Sequence, residues 1–242
     1  AVTIGTLGGG TNWPGASYDP ETHIVYAQAS NAGVAGLGLV EPPKGFSDVR
    51  YLPGIAGQEF RLNEGPGFGS AADAPEVSEV KARLLATGYK PPATPGPPPP
   101  GLNVQGLPLV KPPYGVLSAI NLDRGELMWS VPHGDTPDAI KNHPALKGLN
   151  IPKTGQQGPV GQLVTKTLVV LGDPVYSTYP QGHGAMLRAY NKQTGEQVGA
   201  VWMPAPQSGS PMTYQVDGKQ YIIVAISGGN YSAEYVAFAL SN

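Results

Sequence analysis

The sequence predicts an all-β protein, a β-propeller represented by about three four-stranded blades, and three observations predict it. Short apolar strands alternate with period two. Polar turns bearing Gly, Asn and Asp separate them. The strand–turn–strand unit itself recurs along the chain.

Composition sets the frame for these strands. Of 242 residues, 34 are Gly and 27 are Pro, while 40% are hydrophobic and only 13% charged. That much Gly and Pro borders on low complexity. Yet Thr167-Leu168-Val169-Val170-Leu171 and Gln220-Tyr221-Ile222-Ile223-Val224-Ala225 are too apolar for a disordered chain. The balance is a turn-rich β fold with one long irregular stretch. A net charge of −2 supplies no basic field for nucleic acid or anionic lipid, so no nucleic-acid partner is expected. No apolar run is long enough to cross a membrane. The absence of cysteine excludes disulfides, thiolate metal sites, a cysteine nucleophile and covalent c-type haem. Ala1 opens inside a globular-looking pattern rather than an export signal, so the expectation is a removed leader or a start partway through a larger protein.

Three segments carry one pattern. Residues 115–129 place Ala119, Asn121, Gly125 and Trp129 at the spacing that residues 185–199 repeat with Ala189, Asn191, Gly195 and Gly199. Residues 234–240 form the third copy, to which Ala237 belongs. An Asn shortly before a Gly marks a hairpin turn, since Gly takes positive φ and Asn bonds its own backbone. A further strand pair precedes each copy: 13–17 with 24–29, 160–164 with 168–172, and 211–216 with 220–226. Asp217-Gly218-Lys219 makes the last of these the clearest hairpin. The unit is therefore a four-stranded antiparallel meander. The first two blades have all four strands, and the third has its inner three. A ring needs at least four blades, so the remaining blades are expected upstream or on a second chain.

Residues 31–113 break the pattern and read as an irregular insertion between the second and third strands of the first blade. It contains the polyproline II-like tract 91–100. One short helix is expected over 76–87, stopped by Gly88. The insertion is a surface loop, or a lid or partner contact near the mouth of a site.

Ala119-x-Asn121-x-x-x-Gly125-x-x-x-Trp129 resembles the tryptophan-docking motif of the pyrroloquinoline-quinone (PQQ) dependent, or quinoprotein, dehydrogenases. In that motif a Trp packs against the small residues of the next blade. Residues 187–195 and 210–225 resemble the last blades of the same family, particularly its membrane glucose dehydrogenase and quinate dehydrogenase branch. The resemblance covers the chain outside the insertion. It implies the C-terminal part of an eight-bladed propeller, within the size range of such rings. The second copy departs from the motif. Gly199 stands at the docking position and Trp202 lies three residues later, so that contact is either missing or shifted by a bulge.

The resemblance also names candidate residues. Gly8-Gly9-Gly10-Thr11-Asn12-Trp13 matches a segment whose Asn reaches the quinone, and an amide can donate to and accept from its oxygens. Asn12 is thus a cofactor contact or a turn cap, and Trp13 a cofactor contact or a core residue. Asn230, in Gly228-Gly229-Asn230-Tyr231, meets a substrate hydroxyl or cofactor carboxylate, or else occupies a Gly-rich turn. Gly158-Pro159-Val160-Gly161 reads as a tight turn opening a strand. Family members carry a catalytic Asp and a Ca²⁺ beside the quinone, and these are implied on blades preceding this sequence. No catalytic residue or metal ligand is assigned here.

The histidines His23, His133, His143 and His183 lack metal-ligand spacing and read as turn or loop residues. Asp135-Thr136-Pro137-Asp138 reads as a helix start with a capping carboxylate. The implied function is oxidation of a sugar, polyol or cyclic alcohol at PQQ, with electrons passed to a quinone acceptor, in the periplasm and inactive as this piece alone. The alternative is a non-catalytic propeller scaffold of the outer-membrane assembly type. A third possibility, several copies completing one ring, fits the ragged blade count poorly.

Overall fold

Period-two alternation turns into sheets whose two faces do different work. The computed structural model describes residues 3–4, 10–31, 34–35, 37–55, 60, 82–90 and 103–239. The strands are β1 (Thr3–Ile4), β2 (Ala16–Asp19), β3 (Ile24–Ser30), β4 (Val34–Ala35), β5 (Leu37–Val40), β6 (Leu52–Ile55), β7 (Asn103–Val104), β8 (Leu107–Pro108), β9 (Gly115–Asn121), β10 (Glu126–Pro132), β11 (Leu163–Val164), β12 (Leu168–Gly172), β13 (Ser177–Tyr179), β14 (Gly182–Asn191), β15 (Gln197–Met203), β16 (Met212–Val216), β17 (Lys219–Gly228) and β18 (Tyr231–Ala239).

Three antiparallel sheets carry the repeat. The first runs β10-β9-β3-β2, the second β11-β12-β14-β15 with β13 also paired to β14, and the third β16-β17-β18. The strand pairs expected from the sequence are all found, but β14 and β17 are longer than their patterns indicated, β11 is shorter, and β2 is shifted from 13–17 to Ala16–Asp19 so that Trp13 precedes it. Turn chemistry sets the registers. Asp217 (φ 49°) and Gly218 (φ 76°) both take positive φ, as a two-residue hairpin turn requires. The Asn191 side chain accepts from the backbone N–H of Gln193 and Thr194, and Gly195 closes the turn at φ 74°.

Cross-strand neighbours share a face. The row Ser17, Tyr26, Ala119, Trp129 therefore crosses the first sheet on one side. It packs on Val169, Leu171 and Tyr190 of the second sheet in one core cluster. Val170, between Val169 and Leu171, points the other way, into a second cluster with Val224 and Ile226 of the third sheet. The middle sheet is thus buried on both faces, which explains the unbroken apolar run 168–171.

The docking motif forms the first seam. The Trp129 indole donates from Nε1 to Lys192 O at 3.2 Å and lies 5.8 Å from the Tyr26 ring. A Cβ on Gly195 would sit 2.7 Å from its Cε3, so only Gly fits beneath it. In the second copy Gly199 pairs with Ala189, as Trp129 pairs with Ala119. The same bulge precedes both, so no shift relocates the docking residue. Trp202 instead lies over Gly184 of its own sheet, where a Cβ would stand 2.5 Å from Nε1.

The chain divides into two units, one of residues 1–3 and 35–105 and one of residues 4–34 and 106–242. The smaller unit contains β5 paired with β6 and a helical turn over residues 82–86. The expected helix over 76–87 is described only from residue 82, with Gly88 at φ 82° beyond it. The whole of the tract 91–100 lies outside the described residues.

Candidate functional site

In a meander the start of the first strand and the end of the second lie at one end of the sheet. Asn12 and Trp13 precede β2, residues 156–162 precede β11, and residues 206–211 precede β16. The turn Gly228–Tyr231 joins β17 to β18 at that same end. The three sheets therefore bring Asn12, Trp13 and Asn230 to one rim. Asn12 and Trp13 belong to the first sheet and Asn230 to the third, with the second sheet between.

Buried glutamines lock the rim. Gln162 Nε2 donates to Tyr26 O at 2.9 Å, and Ser17 Oγ donates to Gln162 O at 2.7 Å. Gln28 Nε2 donates to Gly158 O at 2.9 Å. Gln207 Nε2 donates to Gly161 O at 2.7 Å, while its Oε1 accepts from Gly172 N. Gly158 and Gly161 lie outside the strands, so there the amides satisfy carbonyls that no ladder reaches. Gly161 has no room for a side chain, since a Cβ would lie 2.0 Å from Ser210 Oγ and 3.1 Å from Pro14 Cβ. That one position touches the entrances of all three sheets.

Asn12 organises a turn. Its Oδ1 accepts from Trp13 N and its carbonyl from Gly15 N, both at 2.7 Å. Trp13 is not a core residue, because its indole is 90% exposed. A bare indole is costly to leave in water and useful as a stacking face. Asn230 is exposed, in a turn whose Gly228 (φ 148°) and Gly229 (φ 55°) both adopt conformations that favour Gly. Gly158 takes φ 128°, as a tight turn would, and Val160 beside it is buried.

Beside this rim lies a charged cluster that the sequence did not reveal. Arg188, 3% exposed, donates from Nε to Asp173 Oδ1 at 2.6 Å and from an Nη to Asp135 Oδ2 at 2.8 Å. Tyr179 donates to Asp173 Oδ2 at 2.8 Å. Burial alone would push the Asp135 carboxyl up, but the Arg188 charge and hydrogen bond hold it below the usual range. Burial and the Arg188 charge lower the Lys153 ammonium. Lys153, Asp135, Asp138 and Tyr179 line a cavity of ≈ 430 Å³.

Two expectations are corrected here. Neither Asp135 nor Asp138 caps a helix. The one-turn helix Asp138–Lys141 starts after Pro137 with no side-chain cap. Asp135 instead pairs with Arg188, and Asp138 accepts from Thr178 N and Oγ1. Nor are all four histidines loop residues. His133 follows the end of β10 in a connecting segment, as expected, but is fully buried there, with Nε2 donating to Gly172 O at 2.9 Å and Nδ1 accepting from Tyr190 OH at 3.0 Å. Burial drives its pKa down to about 4. His183 lies in β14 and stacks on Tyr176. His23, by contrast, sits in a turn at φ 53°.

Does this rim suit a quinone cofactor? PQQ is a flat aromatic quinone edged with carboxylates. An exposed indole plane and amides that donate and accept match that chemistry. Among the described residues no group of three or more His, Cys, Asp or Glu side chains is placed to hold a metal ion.

Residues 72–222 match the family model for the β-propeller domain of PQQ-dependent glucose, ethanol and alcohol dehydrogenases. A probable quinate dehydrogenase (quinone) of Xanthomonas campestris pv. juglandis is 28% identical over 232 residues, covering 93% of this chain and 25% of the relative. The quinate/shikimate dehydrogenase (quinone) of Acinetobacter baylyi is 28% identical over 239 residues, covering 96% of this chain and 25% of the relative. The quinoprotein glucose dehydrogenase of Escherichia coli is 30% identical over 149 residues, covering 58% of this chain and 17% of the relative. The chain thus spans about a quarter of the length of the quinate dehydrogenases it matches. With the docked Trp129 and the stacked antiparallel sheets, the match establishes that the chain belongs to the PQQ-dependent dehydrogenase family, as part of its β-propeller domain.

Proposed function

We propose that this chain is the C-terminal part of a PQQ-dependent dehydrogenase that oxidises a sugar, polyol or cyclic alcohol and passes the electrons to a quinone acceptor. The observation that carries the reading is the rim where Trp13 offers a bare indole beside the Asn12 amide, at the end of a sheet whose Trp129 makes the family's docking contact. When bound, PQQ supplies the two-electron acceptor for alcohol oxidation, assisted by Ca²⁺ held by residues outside this chain. Asn12 and Trp13 contact the cofactor, and Asn230 contacts cofactor or substrate. The remaining propeller blades are the chain's structural partner, and the location is periplasmic. No described helix is long and apolar enough to cross a membrane.

One apolar face supports the partner. Met212, Tyr214 and Val216 of β16 share a face of the third sheet with Tyr235 of β18, opposite the face packed on the second sheet. Tyr235 is 77% exposed there. A neighbouring blade would cover such a surface.

The test is reconstitution of the native polypeptide with PQQ and Ca²⁺, followed by dye reduction with glucose, quinate and simple alcohols. Quinone-dependent turnover supports the reading. Absence of both turnover and bound quinone sinks it. Asn12→Ala is expected to weaken PQQ binding by about 1–3 kcal/mol, the cost of losing a buried hydrogen bond to the cofactor. An unchanged affinity would return Asn12 to a turn-forming role.

A further inference from the structure

The turn bearing Asn230 rests on a residue of the neighbouring sheet. Tyr176 donates from its hydroxyl to Gly228 O at 2.7 Å. Its ring also lies under the turn, and a Cβ would stand 3.3 Å from Cε2 at Gly228 and 3.6 Å at Gly229. The other side of that ring system is the His183 imidazole, stacked with centroids 4.7 Å apart and planes 7° apart.

Tyr176 is itself held tightly. Each residue of β13, which follows it directly, is also held by a side-chain bond to another part of the sheet stack. Ser177 Oγ accepts from Gln156 Nε2 at 2.8 Å, Thr178 donates twice to Asp138, and Tyr179 donates to Asp173. Asp173, fully buried, is fixed in turn by Arg188. At the entrance of a strand so anchored, Tyr176 presents its ring with little freedom, which is what a supporting side chain needs to hold a binding group in place.

We infer that Tyr176 is a positioning residue that fixes the Gly228–Tyr231 turn so that Asn230 meets a hydroxyl of the alcohol or sugar substrate, with the Arg188–Asp173 pair keeping Tyr176 in register. The inference rests on the dehydrogenase reading above. The choice of substrate over cofactor rests on the exposed Asn230 amide, since amides bond hydroxyls, and on the exposed His183 beside the Tyr176 ring. The Asn12–Trp13 end serves the quinone.

Two measurements on the native polypeptide separate the parts of this claim. In amide hydrogen exchange, Tyr176→Phe speeds exchange at 229–231 and leaves the Asp217-Gly218 hairpin unchanged. In steady-state kinetics with PQQ and Ca²⁺, Tyr176→Phe raises KM for the polyol about fivefold, the loss of one hydrogen bond's worth of positioning, with kcat and PQQ affinity held. Tyr176→Leu, which also removes the ring, raises it further. Unchanged exchange in the turn overturns the positioning role. Faster exchange with an unmoved KM in an active enzyme overturns the substrate contact. Should the unsubstituted protein show no quinone-dependent turnover, the dehydrogenase reading falls, and the exchange data alone decide whether Tyr176 holds the turn.

Discussion

The Trp129 indole lies where a Cβ on Gly195 would stand 2.7 Å from Cε3, at a backbone φ of 74°. Both facts penalise any side chain at residue 195. Gly195→Ala is expected to destabilise by about 2 kcal/mol or more through strain and overpacking. Trp129→Ala is expected to cost about 3 kcal/mol. In the double variant the two losses should not add, because the clash disappears with the indole. Denaturant unfolding of the single and double variants checks this. His133 supplies a second residue-scale prediction. Its folded pKa of about 4 lies below the ordinary value of 6.5. The unfolded state therefore binds the extra proton first, and stability present above pH 6.5 is lost as pH falls toward 4. The loss amounts to about 3 kcal/mol. His133→Gln should flatten that slope in urea titrations across this window.

Between elements, Lys192 joins two sheets. Its ammonium reaches Asp19 Oδ2 at 2.6 Å with both side chains buried, while its carbonyl accepts from Trp129 Nε1 and Tyr26 OH. Burial works against the Asp19 carboxylate, but bonds from Lys192, Thr22 and the Glu21 N–H outweigh it and hold the pKa below the ordinary value. Lys192→Met leaves that carboxylate buried without its partner. The expected cost is about 3–5 kcal/mol, more than a surface pair would show. Thermal unfolding of Lys192→Met beside Asp19→Asn/Lys192→Met checks it, since the double variant removes the stranded charge and should recover part of the loss.

For the molecule as a whole, these ionisations predict acid unfolding in two stages. His133 weakens the fold between pH 6.5 and about 4. Asp19 and Asp135, both held below the ordinary carboxylate value, contribute stability above that value and lose it only as pH falls through their lower folded values. Far-ultraviolet circular dichroism against pH should show the two stages in the unsubstituted protein and only the later one in His133→Gln.

The sequence by itself determined what is local or periodic. Asp217-Gly218 and Asn191 to Gly195 specify turns because their chemistry acts within a few residues. The alternation of 168–172 and 219–226 specifies strands, and the repeat of Ala119 to Gly125 in Ala189 to Gly195 specifies a docking partner for Trp129. Only the tertiary structure decided what depends on distant partners. Arg188 meets Asp135 across 53 residues, and Gln162 reaches Tyr26 across 136. No spacing rule marks either pair. His133 looks like a loop residue in sequence, and only the packing of the second sheet against the first buries it. The rim follows the same division. Asn12, Trp13 and Asn230 were legible as candidates, but the prop beneath Asn230 was not, because Tyr176 and Gly228 meet through the stacking of two sheets rather than through the chain between them.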